Sequence, residues 1–178
     1  MSEIRRVFKL YWVWQDQPEE AWLTRMAADG WHLRNLTIGC YTFQRGEPAA
    51  VAYRLDYRRL TGAEREEYFG LFRDAGWERV ATLANWHYFR KPAPEGPLPD
   101  IFSDAASRID KYRRVLGILV VILALNVVIL TTQRMPESMT TAREIIRMLQ
   151  AGAAILLGYG VLRIMALISR LKRDVRRE

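Results

Sequence analysis

The 178-residue sequence is poor in the residues that most often carry catalysis, since it has one cysteine and two histidines. The lone cysteine, Cys40, excludes an internal disulfide bond and leaves no set of cysteines and histidines at metal-ligand spacing. No glycine-rich phosphate loop follows a predicted strand, and the sequence has no nucleophile elbow. The sequence therefore predicts no catalytic residue, no metal and no cofactor, and we expect the protein not to be an enzyme.

A basic excess is missing from the first 107 residues, although the whole chain has a net charge of +7. Residues 1–107 carry 14 Lys and Arg against 15 Asp and Glu, whereas residues 108–178 carry 13 against 5. The positive charge flanks two long apolar runs, which is typical of a membrane protein and not of a surface that follows nucleic-acid phosphates. We therefore expect contact with membrane lipids and no direct binding of nucleic acid.

The two apolar segments, residues 115–132 and 146–169, are predicted to form transmembrane helices. The alternative is a buried helical hairpin of a soluble protein, but such a helix would show a polar stripe, and the first segment is apolar on every face. Four Lys and Arg precede the first segment and five follow the second, against three near the connecting loop. This asymmetry predicts a multi-pass protein of the cell membrane with both termini in the cytoplasm.

The predicted spans contain residues suited to helix packing. Ala151, Ala154 and Gly158 lie on one face of the second span, and small residues at such spacing let two helices approach closely. Asn126 and Gln150 are predicted at similar depth, where their carboxamides would form a hydrogen bond between the helices. We expect these residues to form a packing seam, and the spans to be the contact of any homo-oligomer.

The first 92 residues contain an internal duplication, which emerges when the sequence is compared with itself at an offset of 46 residues. Gly30 and Trp31 recur as Gly76 and Trp77, and Phe43 recurs as Phe89. Each copy has an alternating strand, then a helix that ends at the glycine, then two further strands. The repeated β-α-β-β order predicts an α+β domain with an antiparallel sheet, two helices on one face and both tryptophans in the core.

The predicted organisation follows the order of these segments. Repeat one covers about 6–46 and repeat two about 52–92. Ser103 or Asp104 is expected to cap a juxtamembrane helix that continues into the first span. The predicted segments are a cytoplasmic domain (1–91), a proline-rich connector (92–99) and the juxtamembrane helix (100–114). They continue with the first span (115–132), an external loop (133–145), the second span (146–169) and a basic cytoplasmic tail (170–178).

Six short motifs of this chain occur together in one bacterial family. They lie at Ala27–Leu33, Tyr41–Pro48, Tyr53–Tyr57, Asp74–Glu78, Trp86–Lys91 and Asp100–Asp104, and a two-helix tail follows them. With this set the chain resembles the family called domain of unknown function 2812 over nearly its whole length. The resemblance implies no activity. It implies a context, because such proteins are often encoded beside PadR-type transcription regulators, and it favours a protein partner linked to such a regulator.

One predicted strand offers a candidate binding surface. Its alternation places Arg54, Asp56 and Arg58 on one face, and basic residues of neighbouring strands would join them. This face is predicted to bind an anionic ligand or an acidic partner helix, and His32, beside Trp31, is a further candidate for ligand contact. The alternative is an ordinary solvated sheet face.

Together these features favour a membrane-anchored regulatory or sensor module whose cytoplasmic domain binds a protein or a small ligand. A structural subunit of a membrane complex is one alternative. An enzyme acting at the inner leaflet is the other, and the scarcity of nucleophile, base and metal ligands argues against it.

Overall fold

The computed structural model describes residues 3–93, 105–132 and 140–175. The chain divides into two compact units, Met1–Ser103 and Asp104–Glu178. In the described part, the first unit contains six strands and two helices, and the second contains two long helices. The predicted α+β class, followed by two long apolar helices, is confirmed.

Some predicted features lie outside the described residues. They are the proline-rich connector beyond Ala93, the capping residues Ser103 and Asp104, the loop residues 133–139 and the end of the basic tail, 176–178.

The first repeat consists of β1 (Ile4–Phe8), α1 (Asp16–Ala28), β2 (Trp31–Thr37) and β3 (Cys40–Arg45). Strand β3 lies between β1 and β2 and pairs antiparallel with both. The hairpin from β2 to β3 turns at Gly39, whose φ of +70° is a conformation that glycine adopts without steric cost. The first repeat therefore forms a complete three-stranded sheet.

The second repeat consists of β4 (Val51–Tyr57), α2 (Gly62–Asp74), β5 (Glu78–Leu83) and β6 (Trp86–Pro92). Strand β6 lies between β4 and β5, as β3 does in the first repeat. The predicted β-α-β-β order is confirmed in both copies. The strands form two three-stranded sheets, however, and not the one sheet expected.

Helix α1 covers the free edge of β4, the strand at one side of the second sheet. The Tyr53 N–H donates to Thr24 Oγ1 at 3.2 Å, and the Leu55 N–H donates to Glu20 Oε1 at 2.8 Å. Both acceptors are side chains of α1. Because they satisfy main-chain donors that a further strand would otherwise pair with, α1 covers this edge of the second sheet.

The two repeats also share local details. Each helix is followed by a glycine in the left-handed conformation, Gly30 with φ +78° and Gly76 with φ +80°. Arg45 donates to the carbonyl of the residue before Gly30 at 2.7 Å, and Lys91 donates to the residue before Gly76 at 2.8 Å. The second strand of each repeat has a bulge at the equivalent place, between Leu33 and Asn35 and between Arg79 and Ala81.

The sequence predicted two helices on one face of a shared sheet. The structure instead places α1 and α2 on opposite faces of the second sheet. Helix α1 contacts both sheets, because Trp22 packs edge-on against Tyr41 of β3 at 4.8 Å between ring centroids, and the same core cluster includes Leu55 of β4 and Tyr88 of β6. Helix α2 packs on the other face of the second sheet, where the Phe72 and Phe89 rings stack at 4.1 Å. Strands β4 and β6 are therefore covered on both faces.

The two repeated tryptophans differ in burial. Trp77 is 5% exposed and belongs to the cluster beneath α2, so its predicted core position is confirmed. Trp31 is only half-buried, and the guanidinium groups of Arg5 and Arg45 lie 5.4 and 5.0 Å from its ring centroid. Trp31 is therefore a partly buried ring that packs against the core with two cations near it, and not an interior core residue.

The second unit contains α3 (Ala105–Thr132) and α4 (Thr140–Val175). By length and composition, Ala106–Thr132 and Thr141–Asp174 are apolar enough to cross a membrane. Large apolar side chains project from both helices without cover, with Val121 at 58% and Ile155 at 75% exposure. Such a surface is unfavourable in water and favourable in lipid, so the two helices indicate association with a membrane.

Candidate functional site

The charged residues predicted to bind on β4 do not form one exposed site. Asp56 is 2% exposed, and the Tyr68 hydroxyl donates to its Oδ2 at 2.6 Å. Arg54 is mostly buried, with Nη1 3.8 Å from Glu20 Oε2. Arg58 follows the strand and is exposed, with its guanidinium 5.1 Å from the Tyr68 ring centroid. The predicted binding surface and its alternative, a solvated sheet face, both place Asp56 in solvent, and this is wrong because α2 packs over it.

The predicted packing residues of the apolar helices are only partly brought together. The carboxamide oxygens of Asn126 and Gln150 are buried, and neither accepts a hydrogen bond within the described part of the chain. The predicted bond between them is therefore not formed. Ala151, Ala154 and Gly158 are half-buried, and a Cβ built at Gly158 meets no described atom within 4 Å. Gly158 is thus not a point of close approach between α3 and α4.

His32 lies in an open groove of about 370 Å³ between β2 and β5, where the two sheets meet. Its Nε2 donates to the Glu47 carbonyl at 2.8 Å, because a carbonyl only accepts. The groove brings together basic residues from both repeats that sequence reasoning had placed on neighbouring strands. Its charged and polar lining consists of His32, Arg34, Gln44, Arg45, Glu78, Arg79 and Arg90.

Positive charge predominates in this groove. Its described lining residues include four arginines and a single carboxylate. That carboxylate, Glu78, is bound by Arg90 through two hydrogen bonds of 2.8 and 3.0 Å, and this pairing raises the pKa of Arg90. Arg34 is exposed, and Arg45 stacks on Trp31. The groove is therefore a surface on which a carboxylate or phosphate group would find unneutralised guanidinium donors.

A separate cavity of about 130 Å³ lies beside the N-terminal end of α1. Glu19, which is 6% exposed, lines it and accepts two hydrogen bonds at Oε1, from the Tyr41 hydroxyl at 2.7 Å and from the Tyr88 hydroxyl at 2.8 Å. Burial raises the pKa of Glu19, and it also raises the pKa values of both tyrosines, so the hydroxyls remain protonated donors. The cavity thus contains a buried carboxyl group that both sheets hold in place.

His87 occupies a third polar position, beneath α2. It is 3% exposed, its Nε2 donates to the Arg58 carbonyl at 2.9 Å, and its Nδ1 accepts from the Thr82 hydroxyl at 3.2 Å. Burial lowers the pKa of His87. The imidazole is therefore held neutral by its surroundings and serves the packing of α2. Among the residues that the structure describes, no three His, Cys, Asp or Glu side chains lie close enough to hold a metal ion.

Comparison with known families matches the chain to the family described as Protein of unknown function (DUF2812), over residues 15–124. The match covers more than half of the chain. The chain belongs to this family. The comparisons with curated proteins and with solved structures gave no match. The DUF2812 match runs from the start of α1 into the apolar part of α3, so it includes the α+β unit apart from β1 and the first part of the first long apolar helix.

Sequence reasoning missed the Glu19 cavity of this DUF2812 protein. In the sequence Glu19 is only a typical residue of the first turn of a helix, where Asp and Glu are common. The signal that points to the cavity is the pair of tyrosines, Tyr41 and Tyr88, which lie at non-equivalent positions of the two repeats. Only the fold shows that these hydroxyls converge on one carboxyl oxygen.

Proposed function

We propose that this DUF2812 protein is a membrane-anchored regulatory or sensor module. In this proposal α3 and α4 cross the cell membrane, both chain ends lie in the cytoplasm, and the α+β unit binds an acidic ligand or protein segment in the groove between β2 and β5. The excess of guanidinium groups over carboxylates in that groove carries the proposal. The protein acts as a binding module and not as an enzyme.

The orientation is inferred from the distribution of charge around the apolar helices. Arg108, Lys111, Arg113 and Arg114 lie near the start of α3, and Arg170, Lys172 and Arg173 lie near the end of α4. Cytoplasmic flanks of membrane helices carry an excess of such residues. This distribution supports a hairpin that keeps the α+β unit beside the inner leaflet, where it could transmit binding to the membrane or to a PadR-linked partner.

An acidic protein segment suits the groove better than a nucleic acid does. Residues 1–107 carry a net charge of −1, so the groove is a local basic site on a unit without the overall positive charge that phosphate tracking requires. Arg34 of β2 and Arg79 of β5 line the two sides of the groove, and the Arg79 guanidinium also donates to Thr82 Oγ1 at 3.3 Å and lies 4.5 Å from the Phe69 ring centroid. Guanidinium groups on both sides suit a chain of carboxylates that runs along the groove.

The double variant Arg34→Glu, Arg79→Glu tests this proposal. With the full chain in mild detergent at low salt, we expect a hexaglutamate peptide to bind the parent protein and to bind the double variant at least about tenfold more weakly, because two charge-assisted contacts become repulsive. Titration calorimetry measures both affinities. The matched control is Arg6→Glu, Arg59→Glu, which makes the same charge change at exposed positions away from the groove.

The comparison of the two double variants decides the result. Equal weakening in both would show that binding follows total charge and not the groove, and absence of hexaglutamate binding to the parent protein would contradict the proposal directly. Circular dichroism of each variant shows whether the fold is retained.

A structural subunit of a membrane complex is the second candidate function. One observation favours it, because Gly158 is in open space between exposed Ile155 and Leu162 on one face of α4. A small residue within an exposed apolar face would admit another helix at close range, including that of a second copy in a homo-oligomer. This candidate predicts that reversal of the groove arginines leaves assembly unchanged.

A further inference from the structure

We propose that the cavity beside α1 is a second binding site, independent of the basic groove, and that it takes a small organic cation such as a primary amine with a short apolar body. Its walls come from the segment after β1, from α1, and from β4 and β6 of the other repeat. The proposal rests on the unused oxygen of Glu19, on the aromatic lining and on the size of the cavity.

The first argument is the free hydrogen-bonding capacity of Glu19. Both tyrosine hydroxyls donate to Oε1, and Oε2 has no hydrogen-bond partner among the described residues. Glu19 is more than nine-tenths buried and lines the cavity, so this oxygen is available to a group that enters the cavity. An ammonium group in the cavity would donate to Oε2 and compensate the buried charge.

The second argument is the aromatic lining. Trp12, Trp86, Tyr11 and Tyr88 line the cavity, and aromatic faces attract cations. The same wall already holds one cation, since Lys9 Nζ lies 4.6 Å from the Trp22 ring centroid and 5.2 Å from that of Tyr11. Asp16 adds a second carboxylate to the lining. Two carboxylates and several rings against one ammonium favour a cationic ligand over an anionic one.

The third argument is size. The cavity measures about 130 Å³. An apolar protein cavity of about 150 Å³ accommodates benzene, so a ligand of roughly five or six non-hydrogen atoms fits here. Because the lining combines the Glu19 and Asp16 carboxyl groups with aromatic and aliphatic side chains, a suitable ligand has one charged head and a compact apolar body.

Three probes of nearly equal size test the proposal on the full chain in detergent at neutral pH: isobutylamine, isobutanol and isobutyrate. We expect isobutylamine to bind at least about tenfold more tightly than the alcohol, and the carboxylate not to bind. Glu19→Gln keeps an oxygen that accepts from both tyrosines but removes the charge, and it should weaken amine binding about tenfold. Glu67→Gln, at an exposed position of α2, is the matched control and should leave binding unchanged.

Two further variants keep the result decisive. Lys9→Met removes the competing cation and should strengthen amine binding by about threefold or more, which tests the site even where Glu19→Gln fails to fold. The groove variant Arg34→Glu, Arg79→Glu should bind the amine as the parent does, so the two proposals succeed or fail separately. The proposal would be overturned if isobutylamine and isobutanol bound with equal affinity. It would also be overturned if neither Glu19→Gln nor Lys9→Met changed the affinity for isobutylamine.

Discussion

Replacing Trp77 by alanine should lower the free energy of unfolding of the α+β unit by about 3–5 kcal/mol. The side chain is 5% exposed and belongs to the cluster formed by Tyr68 and Phe89 beneath α2. Its removal leaves a cavity between the helix and the sheet, which the aromatic neighbours fill only in part. A loss of this size approaches the whole stability of a small domain, so we expect a largely unfolded unit.

Trp31→Ala is the matched comparison, because Trp31 occupies the equivalent position of the first repeat. Trp31 is half-buried and has cations against its ring, so its replacement should cost clearly less than that of Trp77. All six tryptophans lie between Trp12 and Trp86, so the change in fluorescence on urea unfolding reports on this unit alone. Equal losses for the two variants would show that the repeats are packed alike, contrary to the structure.

Acid should destabilise the α+β unit through His87. Because burial lowers the pKa of His87 in the folded chain below its ordinary value of 6.5, the unfolded chain binds more protons once the pH falls below about 6.5. The contribution of neutral His87 to the free energy of unfolding is therefore fully present above this pH. It is lost as the pH falls toward the lowered pKa, at up to about 1.4 kcal/mol per pH unit. His87→Gln keeps a donor for the Arg58 carbonyl and removes the titration.

The test is the difference in free energy of unfolding between the parent and His87→Gln, measured from pH 8 to pH 5. We expect the difference to shift in favour of the variant below pH 6.5. Glu19 contributes with the opposite sign, because its raised pKa gives stability at low pH that is lost as the pH rises through that pKa. Since Glu19 is present in both proteins, its contribution cancels in the difference. A difference that stays constant with pH would mean that His87 has the same pKa in the folded and the unfolded chain, contrary to the effect of its burial.

The secondary structure was predictable because its signals are local. The offset of 46 residues identified the two copies, and Gly30 and Gly76 end their helices in the left-handed conformation that the pattern predicts. The membrane-like helices were predictable for the same reason, since length and apolar composition are properties of the segment itself.

The arrangement of the sheets was not predictable from these signals. The two sheets adjoin at β2 and β5, which belong to different repeats, and α1 covers the edge of β4 through Glu20 and Thr24, a contact between residues about 30 positions apart in sequence. The same holds for Asp56, which alternation alone placed on a solvated face. Alternation shows which residues share a face of a strand, but it does not show that a helix will cover both faces.

The candidate sites were predictable in part. His32 and the basic residues of neighbouring strands do meet in one groove, but Arg54, Asp56 and Arg58 are not part of it. The groove forms between β2 and β5, which belong to different repeats, and no local pattern indicates that these two strands lie side by side. Differences between the two copies are equally hard to predict from the sequence. Trp31 and Trp77 occupy equivalent positions, yet Trp31 is half-buried and Trp77 is buried.

The central claim is that two membrane-spanning helices hold the α+β unit at the cytoplasmic face, and cysteine accessibility in intact cells tests it most directly. In a Cys40→Ser background, single cysteines replace Thr141, Asp174 and the 81% exposed Ile38. We predict that an impermeant maleimide labels Thr141→Cys in intact cells, and that it labels Asp174→Cys and Ile38→Cys only after permeabilisation. Labelling of Ile38→Cys in intact cells, or protection of Thr141→Cys until permeabilisation, would contradict the account.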